Sequence, residues 1–209
     1  MSEKYNLVFG VGINDANYVI QITKNKDKWV CPYFVRWHSM IRRCYSSAFH
    51  KAWPTYTDCE VCDEWHSLMS FRSWMMKQEW EGTHLDKDII RPGNKIYSPE
   101  SCAFVSEQLN TILNSCTLSR GKLPQGVDYQ KRSRTYRARV HVGGKSKYVG
   151  GYKTPKQAAI AYAKEKSKII IMASISQSDH RIRLGMIAHA KLLVECAESL
   201  DVNLWRKKI

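Results

Sequence analysis

The chain is expected to fold as an α+β protein in two parts, and three observations lead there. In the first half, apolar residues recur at the three-to-four spacing of helices, broken by short extended pieces. After the polar stretch Leu118–Pro124 they alternate instead, the period of a sheet with one covered face. The charge divides the same way. Fourteen of the 33 basic residues, but only two of the 19 acidic ones (Asp128 and Glu165), lie between Arg120 and Lys168. That segment therefore holds twelve of the fourteen net positive charges. Crowding like charges stabilises no fold. A polyanion relieves it, most commonly nucleic acid.

Hydrophobic residues make up 44% of the 209, with 7 Trp and 11 Tyr, so one large or two small cores can form. No apolar run approaches the roughly 20 residues that span a bilayer. The start, Met1 to Leu7, is polar and lacks the apolar stretch of a secretory signal. A cytoplasmic protein without a membrane partner is expected. The seven cysteines are odd in number and irregularly spaced, most simply free thiols in a reducing compartment.

Taken in order, Asn6–Phe9 and Tyr18–Thr23 are short extended pieces around a turn at Gly10–Asp15, and Lys24–Lys28 is a charged loop. Pro32–Tyr45 predicts a helix with Phe34, Trp37, Met40, Ile41 and Cys44 on one face. Asp63 is placed to cap a long helix from Glu64 to about Glu79, its stripe (Trp65, Leu68, Met69, Phe71, Trp74, Met75) turned to the core. Leu85–Ile90 and Lys95–Tyr97 are strand-like. Ser98-Pro99-Glu100 has the form of a helix start: hydroxyl, proline, acid. A helix over Ser106–Leu113 follows. Beyond the linker, Tyr136, Ala138, Val140 and Val142 face one way and Arg137, Arg139 and His141 the other. Gly143-Gly144 is a hairpin turn, Lys147–Tyr152 the returning strand, and Thr154-Pro155 opens a helix whose inner face is Ala158, Ala159, Tyr162 and Ala163.

A small sheet with one helix behind it leaves an arginine-bearing face open. Such a sheet fits the major groove of double-stranded DNA, where arginine donates in bidentate fashion to guanine, while edge cations hold phosphates. The residues that carry the pattern are Gly126-Val127, Tyr136 to Val140, Tyr148-Val-Gly-Gly-Tyr152 and Thr154-Pro-Lys-Gln-Ala-Ala-Ile-Ala-Tyr162. Over about 124–168 they resemble the APETALA/ethylene-response-factor DNA-binding domain. The resemblance implies a three-stranded antiparallel sheet packed on one helix, and a DNA-reading face. By register that face includes Asp128, Gln130, Arg137, Arg139, His141 and Tyr148, with Lys131, Arg132, Arg134, Lys145 and Lys147 as further DNA-binding candidates. Two departures stand out: Asp128 occupies a position where the family has arginine, and Arg139 one where plant members often have an acid.

The candidate chemistry lies between His84 and Asn110. Asp86 and Asp88, two apart on a strand, point to one face and suit a hard cation such as Mg²⁺, which activates water or stabilises a leaving oxygen. The run Leu85-Asp86-Lys87-Asp88-Ile89, then Gly93-Asn94-Lys95, Tyr97-Ser98-Pro99, Cys102-Ala-Phe-Val105 and Asn110 resembles phage-type HNH endonucleases, and Arg43-Cys-Tyr45, Pro54-Thr-Tyr56 and Glu64-Trp65 fit the same group. That resemblance spans about 30–114. It implies an HNH-like ββα-metal half that cleaves DNA, homing-like in its fusion to a recognition module. It also implies Asp86 and Asp88 as metal ligands or catalytic groups, with Asn110 as the helix residue of the site. His84 is the nearest imidazole to serve as base, and on a regular strand it shares the face of Asp86 and Asp88. The alternative is a non-catalytic DNA-binding protein on the same scaffold, with Asp86 and Asp88 paired to Lys87 and Arg91.

The expected domains are thus 1–117, a linker 118–123, the basic module 124–168 and a helical extension 169–209. In the extension, Arg181–Leu200 is amphipathic, with Ile182, Met186, His189, Leu192, Leu193 and Cys196 near one stripe. The stripe either packs back or offers a homodimer surface. Cys59-Glu-Val-Cys62 has the spacing of half a zinc site, but no second pair follows it, and buried thiols are the expected outcome.

Overall fold

The computed structural model describes residues 7–25, 27–113 and 123–199. It is a mixed α+β protein with six α-helices and one three-stranded antiparallel sheet among the described residues. The chain forms two compact units: Met1–Asp88 with Asn94–Glu107, and Ile89–Gly93 with Gln108–Ile209. None of the described helices is long and apolar enough to cross a membrane.

In the first unit, β1 (Gln21–Lys24) and β2 (Asp27–Val30) form a hairpin, so the expected charged loop shrinks to its tip. Helix α1 (Pro32–Tyr45) keeps its predicted bounds and buries Trp37, Met40, Ile41 and Cys44. Helix α2 (Ser47–Ala52) and a 3₁₀ turn at Pro54–Tyr56 lead to β3 (Glu60–Val61). The long helix expected from Glu64 does not form. Asp63–His66 makes a 3₁₀ turn, and α3 (Leu68–Met75) starts afresh with Ser67 as its cap. The interruption is held from outside: Asp15 accepts hydrogen bonds from Ser67 Oγ at 2.6 Å and from the Met69 N–H at 2.9 Å.

Three short strands follow: β4 (His84–Asp86), β5 (Ile96–Tyr97) and β6 (Ala103–Val105). β5 runs parallel to β3, and β6 antiparallel to β4. The helix expected at Ser98 stops after one turn. Ser98 caps it, accepting from the Ser101 N–H at 3.3 Å through its hydroxyl and from the Cys102 N–H at 2.9 Å through its carbonyl. Ala103–Val105 then pairs with His84–Asp86, and those ladder bonds replace the helix. The core gathers Trp37, Ile41, Trp65, Leu68, Phe71 and Tyr97, with Trp37 Nε1 donating to the Trp65 carbonyl at 2.9 Å. Helix α4 (Glu107–Leu113) begins where the first unit ends.

The second unit is built on β7 (Val127–Gln130), β8 (Thr135–Val142) and β9 (Lys145–Tyr152), in that order across the sheet. Both residues of the Gly143-Gly144 turn have positive φ, 55° and 75°, as the twist of a two-residue hairpin demands. Helix α5 (Pro155–Ile175) is capped by Thr154 and sets Ala158 and Tyr162 against Ala138 and Val140 of β8. It runs unbroken past Lys168, so the boundary drawn there falls inside a helix. The expected linker lies outside the described residues except for Leu123. Helix α6 (His180–Glu198) lies along α5 and buries Ile182, Met186, Ala190, Leu193 and Ala197. Of the two uses offered for that stripe, this is packing. Residues 89–93 join this unit: at Gly185 a Cβ would run into the Ile89 carbonyl and the Ile90 backbone.

Candidate functional site

The sheet of the second unit has one face under α5 and one face open. Register assigns each residue. Asp128 lies opposite Arg137, Gln130 opposite Thr135, Arg139 opposite Tyr148 and His141 opposite Ser146, all on the side away from Ala138, Val140 and α5. The predicted face is therefore assembled as a surface. Tyr148 is 59% exposed. Lys131, Arg132 and Arg134 are exposed in the β7–β8 turn, where Arg134 has a φ of 52°.

Two of the further DNA-binding candidates lie on the other side of the sheet. Lys147 pairs in register with Val140, on the helix side, and its Nζ donates to Glu165 of α5 at 2.7 Å. Lys145 shares the side of Val142. The physical reason is strand alternation: with Tyr148 on the side away from α5, Lys147 and Lys145 fall on the opposite side of β9, and the irregularity between Ala138 and Arg139 lies outside this stretch.

The alternation also leaves unread the internal pairing of the face. Asp128 Oδ2 accepts from Arg137 Nε at 2.9 Å and from Nη2 of the same guanidinium, while Oδ1 lies 3.7 Å from Arg139 Nε. The one acid of the face sits between its two arginines. A hairpin register counted back from the β7–β8 turn would have placed Asp128 beside Arg137.

In the first unit, β4 ends at Asp86, and the three predicted groups do not lie along one strand. His84 is exposed and pairs with Val105. Asp86 pairs with Ala103, and its Oδ1 accepts from the Asp88 N–H at 2.7 Å. This side chain closes a turn that carries Asp88 off the strand. Lys87, expected to face away, is buried at 8% exposure. Its ammonium donates to both oxygens of Asp88, at 2.8 and 2.7 Å, and to the Asn94 carbonyl at 2.9 Å. Burial alone would lower the Lys87 pKa, but the Asp88 carboxylate beside it holds the ammonium above its ordinary value. Asn94 ties the loop together: its Nδ2 donates to the carbonyls of Lys87 at 2.8 Å and Ile96 at 2.7 Å. Asn110 lies on α4 and is counted with the second unit.

No family model, curated protein or solved structure matches this chain.

The described residues thus offer two kinds of chemistry. The open sheet face is a cationic and aromatic surface with a carboxylate at its centre. The β4 turn offers two carboxylates near an exposed imidazole. As oxygen donors, Asp86 and Asp88 have the hard chemistry a divalent cation needs. The fit is incomplete, because Lys87 meets both Asp88 oxygens. Among the described residues no group of three or more His, Cys, Asp and Glu side chains is gathered for a metal. Cys59 is buried and Cys62 half-buried, and burial raises both thiols above their ordinary values.

Proposed function

We propose that this protein is a DNA-binding endonuclease of HNH type, with an HNH-like ββα first half. In this reading the second unit holds duplex DNA on the open face of β7–β9, and the first hydrolyses a phosphodiester bond. The observation that carries the reading is the sheet face. Arg137, Arg139, His141 and Tyr148 share the side away from α5, next to a turn bearing Lys131, Arg132 and Arg134, in the segment that holds nearly all of the net charge. A cationic surface of this kind fits the major groove, with arginine forks for base edges and the turn cations for phosphates.

The hydrolytic half is supported by the motif run from His84 to Asn110 and by the antiparallel β4–β6 pair that brackets the Asp86–Asp88 turn. In this reading the Asp86 and Asp88 carboxylates orient an attacking water and the His84 imidazole takes its proton; the water oxygen bonds to phosphorus as the bridging P–O bond breaks, and the departing oxygen takes a proton from solvent. Lys87 meets both Asp88 oxygens, so this reading gives a metal ion no role, and the Mg²⁺ and EDTA arms below measure any metal dependence. The same Lys87–Asp88 pair favours the second reading, a DNA-binding protein that keeps the scaffold without the chemistry.

The test uses supercoiled plasmid with the full-length protein, in Mg²⁺ or in EDTA. Open-circle or linear product that disappears with Asp86→Ala/Asp88→Ala, while DNA binding survives, is the expected outcome. A shifted but uncut band under every divalent metal tried supports the second reading. An Arg137→Ala/Arg139→Ala protein that binds duplex DNA as tightly as the wild type removes the assignment of the face.

A further inference from the structure

We infer that Asp128 is the specificity-determining residue of the sheet face: it holds two arginine forks toward base edges and turns phosphates away. The inference rests on the DNA-binding reading above. An arginine on an open sheet can meet either a phosphate, which carries no sequence information, or a base edge. This face is different, because one carboxylate is hydrogen-bonded to Arg137 and lies 3.7 Å from the buried Arg139 Nε. Asp128 stands directly opposite Arg137 in the β7–β8 ladder. It engages Arg137 through Nε and Nη2 and approaches Arg139 from the Nε side at 3.7 Å. The Nη1 and Nη2 edge of Arg139 is not used by Asp128.

Gly151 stands across from Arg137 on β9 and has no side chain of its own, but the Tyr148 side chain, which starts across from Arg139, reaches over it: a Cβ at Gly151 would lie 3.1 Å from the Tyr148 hydroxyl. The Asp128–Arg137 pair, with Arg137 24% exposed and two hydrogen bonds, also holds β7 to β8, whereas Asp128 and Arg139, at 43% and 42% exposure and 3.7 Å apart, add little to stability.

Two consequences follow for the ligand. A phosphate approaching the arginines meets the Asp128 charge, which lowers affinity for DNA of arbitrary sequence. A G·C pair in the major groove presents acceptors on guanine and an amino donor on cytosine, and so complements a guanidinium and a carboxylate side by side. The ligand class is duplex DNA with G·C pairs at the contacted step. The Asp128–Arg137 pair also fixes a long side chain before binding, so less conformational freedom is lost on association.

The experiment begins with wild-type full-length protein and a pool of random duplexes, from which its preferred sequence is selected. Affinities for that duplex and for a scrambled one are then measured across a salt series for wild type, Asp128→Asn and Asp128→Ala, with a melting curve for each. The expected result is a G·C-containing preferred site. Asp128→Asn should bind the scrambled duplex about threefold to tenfold tighter, and its preference for the selected site should fall about tenfold or more, with an unchanged melting temperature. An unchanged preference ratio overturns the inference, as does an equal loss of both affinities with a lower melting temperature. Wild-type binding without sequence preference overturns it and leaves the DNA-binding reading standing, whereas no duplex binding at all removes both. Should both Asp128 variants fail to fold, Arg137→Lys, which keeps charge but not the fork, must lower the ratio, and an unchanged ratio overturns the proposal.

Discussion

Lys87 and Asp88 make a two-point contact inside a turn closed by Asp86 and Asn94. Removing the ammonium strands a carboxylate that is 44% exposed. The loss should therefore be smaller than for a fully buried pair, about 2 kcal/mol for Lys87→Met, read from urea unfolding. Gly126 has a φ of 68°, and a Cβ there would strike the Tyr162 ring and the Arg139 carbonyl. Gly126→Ala should lower stability by about 2–4 kcal/mol, visible as a depressed thermal midpoint. Burial pushes the thiols of Cys44 and Cys102 up to about 12, so alkylation of the native protein at mildly alkaline pH should spare both. At this scale the sequence offered Asp86 and Asp88 as a carboxylate pair from their spacing, with Lys87 and Arg91 as their partners in the alternative reading. The structure pairs Lys87 with Asp88. What alternation missed is the burial of Lys87, because the strand ends at Asp86 and the turn after it swings Lys87 inward.

Among the elements, α1 and the β8–Gly143-Gly144–β9 hairpin were legible from periodicity and turn chemistry. Two helix starts misled. Asp63 and Ser98 both carry capping signals, yet α3 is capped by Ser67, and the Ser98 turn gives way to β6. Ser67→Ala should cost about 1 kcal/mol in urea unfolding, and Asp63→Ala close to none, because the Asp63 side chain is fully exposed. On the helix side of the sheet, the hydrogen bond from Lys147, with the charges of Lys147 and Lys168, holds the Glu165 carboxyl below its ordinary value of 4.5. A carboxyl lowered in the folded state adds stability above its unfolded pKa and loses it as pH falls through the folded one. Lys147→Met should therefore unfold at lower urea than the wild type at neutral pH, by a small margin since Lys147 is 61% exposed. The margin should vanish in acid.

For the whole molecule, the concentrated charge predicts that any affinity for duplex DNA falls steeply with salt. Arg137→Ala/Arg139→Ala should weaken binding, as titrations of labelled duplex will register. Chain order and unit membership do not coincide: Ile89–Gly93 belongs with α6 although Asp88 and Asn94 belong to the first unit. A fragment of residues 118–209 lacks the Ile89–Ile90 backbone that closes on Gly185. Its α6 amides should exchange with deuterium faster than those of the full-length chain. The amino-acid sequence by itself determined the mixed class, the concentration of basic charge in one segment and the alternation that sets Arg137 and Arg139 on one side of the sheet, because each follows from local spacing and charge. Only the tertiary structure decided that β6 displaces a helix, that Lys87 closes on Asp88, and that Asp128 lies between Arg137 and Arg139. Each of those outcomes depends on groups brought together across the chain or around a turn, where ladder bonds and ion pairs outweigh local propensity.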